Sequence, residues 1–443
     1  MRVSLTQKKA HKLRDACEQL LVDSFPSIRN VARVLGLITS SFPGVMYGPL
    51  YYRYLEMDKT EALKLRRGDF NGTMTISENA KTELLWWIRS ISTAYNAISH
   101  GNPDLTMTTD ASLIGWGGCI DMVSTGGNWT PEERKHDINY LEILAAFFAL
   151  KSFSQKLSGK HIKLMIDNTT AVASISQMGT CHSKPNNQLV KQIWEWCIAH
   201  DVWLTVVHIP GKQNITADAE SRLSRRETEW KLEKSIYNAI IQKLDITPSV
   251  DLFASRLNYQ LKPYVAYQPD PEAWAINAFT ISWEDCVFYA FPPFSIIPQV
   301  LQKVIEDRAT GIMIVPKWPT QTWWPCLTSM LKYVEEIYET CLEPMLNKNL
   351  GDAVEELEML TPEPMNTMLD KQDRVEAIRK RTARRQMVAV DVPGTALGKY
   401  LKNKGFVSKE EYGTQIELLP SILQSLTNCQ NIQLGMLLIL CRD

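Results

Sequence analysis

Four short stretches decide the fold, and they read TMTTDASLIGWGG (106–118), NYLEILAAF (139–147), IKLMIDNTTAVASI (162–175) and VVHIPGKQNITADAESR (206–222). Each stretch carries one candidate acid. Asp110 lies in a β-rich run, Glu142 lies in the predicted first turn of a helix, and Asp167 stands at the carboxyl end of an apolar strand. After a further strand the chain turns at Pro-Gly, and the opening turn of the next predicted helix holds Asp218.

The predicted order of elements is three strands, a helix, a strand, two helices, a strand and a helix, and this order resembles the ribonuclease H fold. The motifs TDAS, GWGG, YLE, IDN and HIPGKQNITADAESR resemble those of the RNase H domains of gypsy-type and DIRS-type retroelements. We therefore expect an RNase H domain at 102–226, built on a mixed five-stranded sheet with flanking helices. The resemblance implies endonucleolytic cleavage of the RNA strand of an RNA–DNA hybrid during reverse transcription.

The chemistry of that cleavage explains why four acids are needed. Hydrolysis of a phosphodiester requires a nucleophilic water near neutral pH and relief of charge on the leaving oxygen, and two bound Mg²⁺ ions supply both. Magnesium prefers hard oxygen ligands, whereas clustered carboxylates without a metal repel each other. In the family, the residues that match Asp110 and Asp218 flank one ion, and those that match Asp110, Glu142 and Asp167 surround the other. We expect all four acids to be catalytic residues and metal ligands, with Mn²⁺ as a substitute for Mg²⁺.

Two histidines and three lysines near the predicted site have open roles. His208 could shuttle a proton, although its position before Ile-Pro-Gly at a strand end favours a structural role. His182 lies in the polar stretch GTCHSKPNN and could reach the scissile region. This stretch carries only one lysine, so the hybrid must be bound by other groups as well. The candidates for binding the hybrid are the helical segment that precedes the domain, together with Lys184, Lys191 and Lys212.

The composition bounds the class of protein. A chain of 443 residues with 45% hydrophobic residues and 13 Trp is long enough for two or three globular domains. The net charge of -1 means that any nucleic-acid binding must come from local patches. Nine Cys without a C-x-x-C pair predict reduced thiols in an intracellular protein of the nucleus or cytoplasm. The apolar runs are too short to span a bilayer, so we expect a soluble chain without a membrane partner.

Residues 1–98 are predicted to be helical, with Ser77 starting the helix that contains Trp86 and Trp87. LGLITSSFPGVMYGPLYYRYLE (35–56) resembles the thumb and connection segment that follows the polymerase palm in DIRS-type reverse transcriptases. Polymerase chemistry in that family needs paired aspartates, and the chain contains no Asp-Asp dipeptide. We therefore do not expect DNA synthesis, and the polymerase part of the same element is a candidate partner.

Residues 245–338 are predicted to alternate between strands and helices, which is typical of a parallel sheet. DLFAS (251–255), FPPFS (291–295) and GIMIVPKW (311–318) resemble the methyltransferase-like domain of DIRS-type elements, which is similar to Dam-type adenine methyltransferases. The resemblance implies that Asp251, Pro292, Pro293 and Phe294 bind S-adenosylmethionine or a flipped base of DNA. Active relatives carry Asp or Asn before the two prolines, and Phe291 stands there in this chain.

Three functions remain open at this point. The first is a retroelement RNase H, the second is a nucleic-acid-binding remnant without catalysis, and the third is a DNA adenine methyltransferase acting through residues 245–338. The acidic, proline-broken stretch that follows favours a linker. We therefore expect residues 339–443 to form a linker and tail, with no role that their sequence assigns.

Overall fold

The computed structural model describes residues 1–223, 231–316 and 318–330, together with the backbone of two short strands at 336–337 and 436–441. The chain divides into two compact units. The first comprises Met1–Glu229, Ser255–Leu257 and Val265–Asn277, and the second comprises Trp230–Ala254, Asn258–Tyr264 and Ala278–Asp443. Apart from the strand at 436–441, the predicted linker and tail at 339–443 lie outside the described residues.

Helices dominate the first 98 residues of the first unit, as the sequence predicts. They are α1 (Gln7–Val22), α2 (Ile28–Thr39), α3 (Arg53–Leu65) and α4 (Glu78–Ser90), and two short strands, β1 (Arg2–Val3) and β2 (Asn96–Ala97), pair with each other. The Ser77 side chain accepts a hydrogen bond from the main-chain N–H of Ala80. This capping bond satisfies a donor that the helix itself leaves unpaired, and it confirms the predicted start of α4.

A mixed five-stranded sheet forms the centre of the first unit. Its strands are β3 (Leu105–Ala111), β4 (Gly115–Ile120), β5 (Val123–Asn128), β6 (His161–Ile166) and β7 (Trp203–His208), in the order β5-β4-β3-β6-β7. β4 runs antiparallel to β3 and β5, whereas β6 runs parallel to β3 and β7. This sheet with its flanking helices fits an RNase H-like fold and confirms the predicted architecture of this region.

The helices that flank this sheet are α5 (Ile138–Ser152), α6 (Ser154–Leu157), α7 (Thr169–Ser176), α8 (Lys184–Ala199) and α9 (Ile215–Arg222). α5 is buried along most of its length because most of its side chains are apolar. The side chain of Asp137 caps it by accepting from the N–H groups of Asn139 and Tyr140. Since the helix begins at Ile138, Glu142 lies beyond the first turn, and the prediction that placed it in that turn was wrong.

One hydrophobic core connects the helices of residues 1–98 with the sheet region. The ring of Tyr47 lies 6.4 Å from that of Trp194 and 6.3 Å from that of Trp203, measured between centroids. Arg53 Nη2 donates a hydrogen bond of 2.8 Å to the main-chain oxygen of Gln177. The two parts of the first unit therefore share apolar packing and at least one polar contact.

The second unit contains α10 (Lys234–Leu244) and a second five-stranded sheet. β8 (Val250–Asp251) opens this sheet, while β9 (Val265–Ala266) and β10 (Ala275–Ile276) belong to the first unit and pair with each other. The chain continues with β11 (Val287–Ala290), α11 (Ile297–Glu306), β12 (Thr310–Pro316), α12 (Trp324–Ser329), β13 (Glu336–Ile337) and β14 (Met436–Cys441). The strand order is β13-β14-β12-β11-β8, with β8, β11 and β12 parallel.

The alternation of strands and helices predicted for residues 245–338 is therefore present. In the part of the chain that the structure describes, none of the helices combines the length and hydropathy that a membrane crossing requires.

Candidate metal centre

Three of the four predicted acids converge at one edge of the first sheet. Asp110 lies near the end of β3, Asp167 follows β6 directly, and Glu142 projects from α5. One carboxylate oxygen from each lies within 4.8 Å of the others. β3 and β6 are parallel neighbours, so their carboxyl ends meet at the same edge, and α5 packs against β3.

Burial and mutual repulsion act together on these acids. Asp110 is 3% exposed and Glu142 is 4% exposed. Burial, with the negative charges of Asp110 and Asp167 added, raises the pKa of Glu142 to about 9. Burial also raises the pKa of Asp110 to about 6, against a hydrogen bond from Ser221 that lowers it. In the absence of a cation, the site therefore favours the protonated form of Glu142 near neutral pH.

Hydrogen bonds fix the carboxylate of Asp110 but leave one oxygen of Glu142 unpaired. Ser221 Oγ donates to Asp110 Oδ2 at 2.7 Å, and Asn214 Nδ2 donates to Asp110 Oδ1 at 3.4 Å. Glu142 accepts from the main-chain N–H of Ala111, yet its Oε2 is buried without a hydrogen-bond partner among the described residues. A buried acceptor without a partner costs free energy. Such an oxygen is a suitable ligand for a hard divalent cation.

The fourth acid, Asp218, lies in the first turn of α9 as predicted, but it is not part of the three-acid group. Its Oδ1 accepts hydrogen bonds from both Nε and Nη2 of Arg222, at 2.8 and 2.6 Å. The charge of Asp218 still raises the pKa of Asp110, so the two residues interact electrostatically. The structure thus separates three clustered acids from a neighbouring Asp–Arg pair.

Glycines in β4 allow α9 to lie directly against the sheet. A Cβ atom at Gly117 would lie 2.2 Å from the main-chain oxygen of Ala217 and 2.8 Å from the main-chain nitrogen of Ser221. Only a residue without a side chain permits this approach, which places Ser221 against Asp110. The glycines of the GWGG motif therefore have a structural role in forming the site.

Sequence reasoning did not identify three residues that contact these acids, namely Asn214, Ser221 and Arg222. All three lie in the quoted stretch NITADAESR. Arg222 follows Asp218 by four residues on a predicted helix, and this spacing is a signal that could have indicated the pair. The hydrogen bonds of Asn214 and Ser221 to Asp110 join residues more than a hundred positions apart and have no such local signal.

The two histidines lie in different settings. His208 Nε2 is 3.1 Å from the main-chain oxygen of Asp167, to which an N–H at this position can donate. That contact agrees with the structural role that the sequence favours, because it holds the segment that carries Asp167. His182 is exposed, and its main-chain N–H donates to Thr180 Oγ1 at 3.2 Å.

The residues predicted to bind a methyl donor lie at the carboxyl edge of the second sheet. Asp251 ends β8 and Phe291 follows β11, its parallel neighbour. Asp251 Oδ2 accepts from the N–H of Gln260 at 2.8 Å, and burial raises the pKa of this carboxyl to about 7. Pro292 and Pro293 follow Phe291, and the ring of Phe294 packs edge-on against Trp318 at 5.2 Å between centroids. A role in binding S-adenosylmethionine stays a prediction.

Comparisons with known proteins give only distant likenesses. No family model matches the chain, and no curated protein matches it. Among solved structures it is similar to RNase H1 from the halophilic archaeon Halobacterium salinarum, with 17% identity, a TM-score of 0.23, and 26% of this chain and 92% of that chain covered. A second is LC11-RNase H1 in complex with an RNA/DNA hybrid, with 19% identity, a TM-score of 0.22, and 26% and 92% covered.

A third likeness is to the foamy viral protease-reverse transcriptase in complex with dsDNA, with 12% identity, a TM-score of 0.20, and 46% of this chain and 42% of that chain covered. These TM-scores are low. The assignment of the fold therefore rests on the strand order and on the positions of the acids within it.

Proposed function

We propose that the chain is a retroelement ribonuclease H that hydrolyses the RNA strand of an RNA–DNA hybrid during reverse transcription. The observation that carries this proposal is the convergence of Asp110, Glu142 and Asp167 at one edge of an RNase H-like sheet. Burial and the charges of Asp110 and Asp167 raise the pKa of Glu142, whose Oε2 is buried without a hydrogen-bond partner among the described residues, and a divalent cation would stabilise such a site. The proposal assigns nuclease activity to residues 102–226 and a thumb and connection role to residues 1–98.

The residues present fit magnesium. Asp110, Glu142 and Asp167 would hold one ion, and Asp110 with Asp218 would hold the second. Such ions, when bound, activate a water near neutral pH and stabilise the charge that develops on the leaving oxygen. Mn²⁺, which takes the same oxygen ligands, would substitute.

The chain's own residues position these ligands. Ser221 and Asn214 hold the carboxylate of Asp110 from two sides, which fixes the direction in which its oxygens face. Glu142 is held in place by the buried helix α5, and its Oε2 is buried without a hydrogen-bond partner in the described part of the chain. Hydrogen bonds to metal-binding side chains orient those side chains, and their removal typically weakens metal binding about 10- to 100-fold.

The hybrid would be bound beside the acids through its backbone and shape. Proteins read A-form-like helices through phosphate and 2′-hydroxyl contacts across the minor groove. Of the three candidate lysines, Lys184 and Lys212 are exposed. Lys191 lies over the ring of Tyr51, 4.9 Å from its centroid, and 4.0 Å from Glu195 Oε1. We therefore favour Lys184 and Lys212 for phosphate contacts.

Cleavage of a labelled RNA–DNA hybrid in Mg²⁺ tests the proposal, with double-stranded DNA and double-stranded RNA as controls. We expect cleavage of the hybrid alone and loss of that cleavage in Asp110→Asn. Asp201→Asn is the matched control, because Asp201 lies in a left-handed turn that Asn also adopts readily. Hybrid binding without cleavage would favour the alternative of a non-catalytic nucleic-acid-binding remnant.

A second candidate function concerns residues 245–338, where S-adenosylmethionine would serve a DNA adenine methyltransferase. The observation that favours it is Asp251 Oδ1, which is buried at the carboxyl edge of the second sheet without a hydrogen-bond partner in the described part of the chain. Phe291 argues against it, because its side chain is buried and cannot accept a hydrogen bond from an adenine amine. Calorimetric titration with S-adenosylmethionine tests this function. A heat of binding that is measured for the wild type and lost in Asp251→Ala would support a binding site for the methyl donor.

A further inference from the structure

Arg222 is a positive charge placed among the acids of the candidate site. It lies one helical turn after Asp218 in α9, and its Nε and Nη2 both donate to Asp218 Oδ1. The charges of Asp218, Asp110 and Asp167 all raise the pKa of Arg222. The guanidinium therefore interacts electrostatically with Asp110 and Asp167, although it forms hydrogen bonds only with Asp218 among these acids.

The Arg222–Asp218 pair is not held by burial. The side chains are 65% and 40% exposed, so both can change rotamer without disturbing the core. Exposed pairs of this kind are weak, contributing about 0.2–1 kcal/mol or less. A stronger partner for either side chain would separate them.

The geometry divides the four acids into two groups with different access to a cation. Asp110, Glu142 and Asp167 share one point, while the carboxylate of Asp218 is already paired with a cation. A divalent ion that approaches Asp218 must displace the guanidinium or bind beside a like charge, and either costs affinity. Among the residues that the structure describes, no positively charged side chain donates a hydrogen bond to the three clustered acids.

We propose that Arg222 is a positioning residue that withholds Asp218 from metal until a phosphate of the nucleic acid takes over its guanidinium. The inference rests on the proposed nuclease function and concerns the same site. The planar fork of a guanidinium matches phosphate as well as carboxylate, so the substrate supplies the alternative partner. On this proposal, the ion held by the three clustered acids binds to the protein without substrate. The second ion, which needs Asp218, binds tightly only when substrate is present.

Titration of the metal-free protein with Mn²⁺, followed by the electron paramagnetic resonance signal of the free ion, tests this without any cleavage. We expect the wild type to bind one ion tightly and a second ion weakly. Arg222→Gln should bind the second ion about tenfold more tightly, because a unit charge a few ångströms from a divalent ion is removed. Arg89→Gln, which removes an exposed charge from the last turn of α4, controls for the change in net charge.

Two further variants test separately the charge of Arg222 and its dependence on Asp218. Arg222→Lys keeps the positive charge and should bind both ions much as the wild type does. In an Asp218→Asn background, Arg222→Gln should lose most of its effect on the second ion, because the ligand that Arg222 withholds is gone. In EDTA, where no cleavage occurs, Arg222→Gln should weaken hybrid binding more than Arg89→Gln does.

The outcomes distinguish the two proposals. If Mn²⁺ binds in a manner that depends on Asp110 but Arg222→Gln leaves the second ion's affinity unchanged or lower, the role of Arg222 is refuted and the nuclease proposal stands. If the wild-type protein binds no ion that depends on Asp110, both proposals fail together. A thermal melt of each variant excludes unfolding as the cause of lost binding.

Discussion

Each unit contains a buried carboxyl group with one oxygen that has no hydrogen-bond partner among the described residues, and the surroundings of the two groups differ in the sign of the charge. Glu142 in the first unit is 4% exposed and Asp251 in the second is 2% exposed. The neighbours of Glu142 are acids that raise its pKa further. The neighbours of Asp251 are Lys231 and Lys234, together with main-chain N–H groups, and these lower its pKa against the effect of burial.

The difference shows that a buried acid does not by itself indicate a metal site. Asp251 already has compensating positive groups, so its environment is compatible with a structural role as it stands. At the first site, a hydrogen bond from Ser221 and the positive charge of Arg222 lower the pKa of Asp110, but among the described residues no cationic side chain lowers that of Glu142. Under the proposed function, a divalent cation from solution would supply that compensation. The sign of the surrounding charge therefore separates the two sites better than burial or strand position does.

The largest expected effect concerns hybrid cleavage by two variants, one of Asp167 in the three-acid group and one of Asp251. Asp167→Asn should lower the rate of hybrid cleavage by more than about 100-fold, because it removes a ligand rather than an outer contact. Asp251→Asn should leave the rate of hybrid cleavage within about twofold of the wild-type rate. Asp251 lies in the second sheet, so its substitution should affect that sheet and not the acids of the candidate metal centre. Single-turnover cleavage of a labelled hybrid measures both, and equal losses in the two variants would break the distinction between the sites.

Much of this contrast could be predicted from the chain itself. The apolar run of β6 and the periodicity of α5 are local, and they predicted the strand that Asp167 follows and the helix that carries Glu142. The resemblance to RNase H domains, rather than local pattern, implied that these acids converge. Local pattern could not predict that Ser255–Leu257 and Val265–Asn277 belong to the first unit, because that association depends on contacts between distant residues. It also misplaced the start of α5, since Asp137 caps the helix earlier than the apolar periodicity indicates.

The second prediction compares two glycines at which a Cβ atom has no room. At Gly117 it would lie 2.2 Å from a main-chain oxygen of α9, and at Gly311 it would lie 2.4 Å from the main-chain oxygen of Phe288. Each Gly→Ala variant should lose up to about 3 kcal/mol of stability in its own unit. Only Gly117→Ala should also impair cleavage, because it displaces α9 and the Ser221 hydroxyl from Asp110.

Hydrogen exchange followed by mass spectrometry assigns each loss to a unit, since it measures local opening. Gly36→Ala is the control, because a Cβ atom there meets nothing within 4 Å and Ala favours a helix. This control should gain about 0.5–1 kcal/mol. Normal cleavage by a folded Gly117→Ala protein would show that the close approach of α9 is dispensable for the site.

The third prediction concerns pH and distinguishes the two carboxyl groups directly. A carboxyl whose pKa is raised on folding contributes stability below its ordinary pKa and loses it as the pH rises through the folded pKa. For Glu142 this window extends from 4.5 to about 9, and for Asp251 from 3.8 to about 7. In EDTA, the second unit should stop losing stability from this source above about pH 7, whereas the first should continue to lose it.

Between pH 7 and pH 9 the loss in the first unit should be on the order of 2 kcal/mol. Hydrogen exchange, corrected for its intrinsic dependence on pH, measures it in α5 and in β11 of the same sample. Glu142→Gln should remove most of the slope in the first unit, and saturating Mg²⁺ should flatten it in the wild type. A slope that survives Glu142→Gln would assign the titration to other groups.

The smallest expected effect tests whether Arg256, from the region predicted as methyltransferase-like, stabilises the first unit. Its Nη1 lies 2.8 Å from Glu133 Oε1, and its Nη2 donates a hydrogen bond of 2.9 Å to the main-chain oxygen of Asn128. Its guanidinium also lies over the ring of Phe148, 4.5 Å from the ring centroid. Arg256→Lys keeps the charge but loses the planar fork, so it should cost about 1 kcal/mol. That loss should appear as faster hydrogen exchange in β5 with no change in β11. If exchange in β5 is unaffected, this segment contributes little to the first unit, and the boundary between the regions follows the sequence order after all.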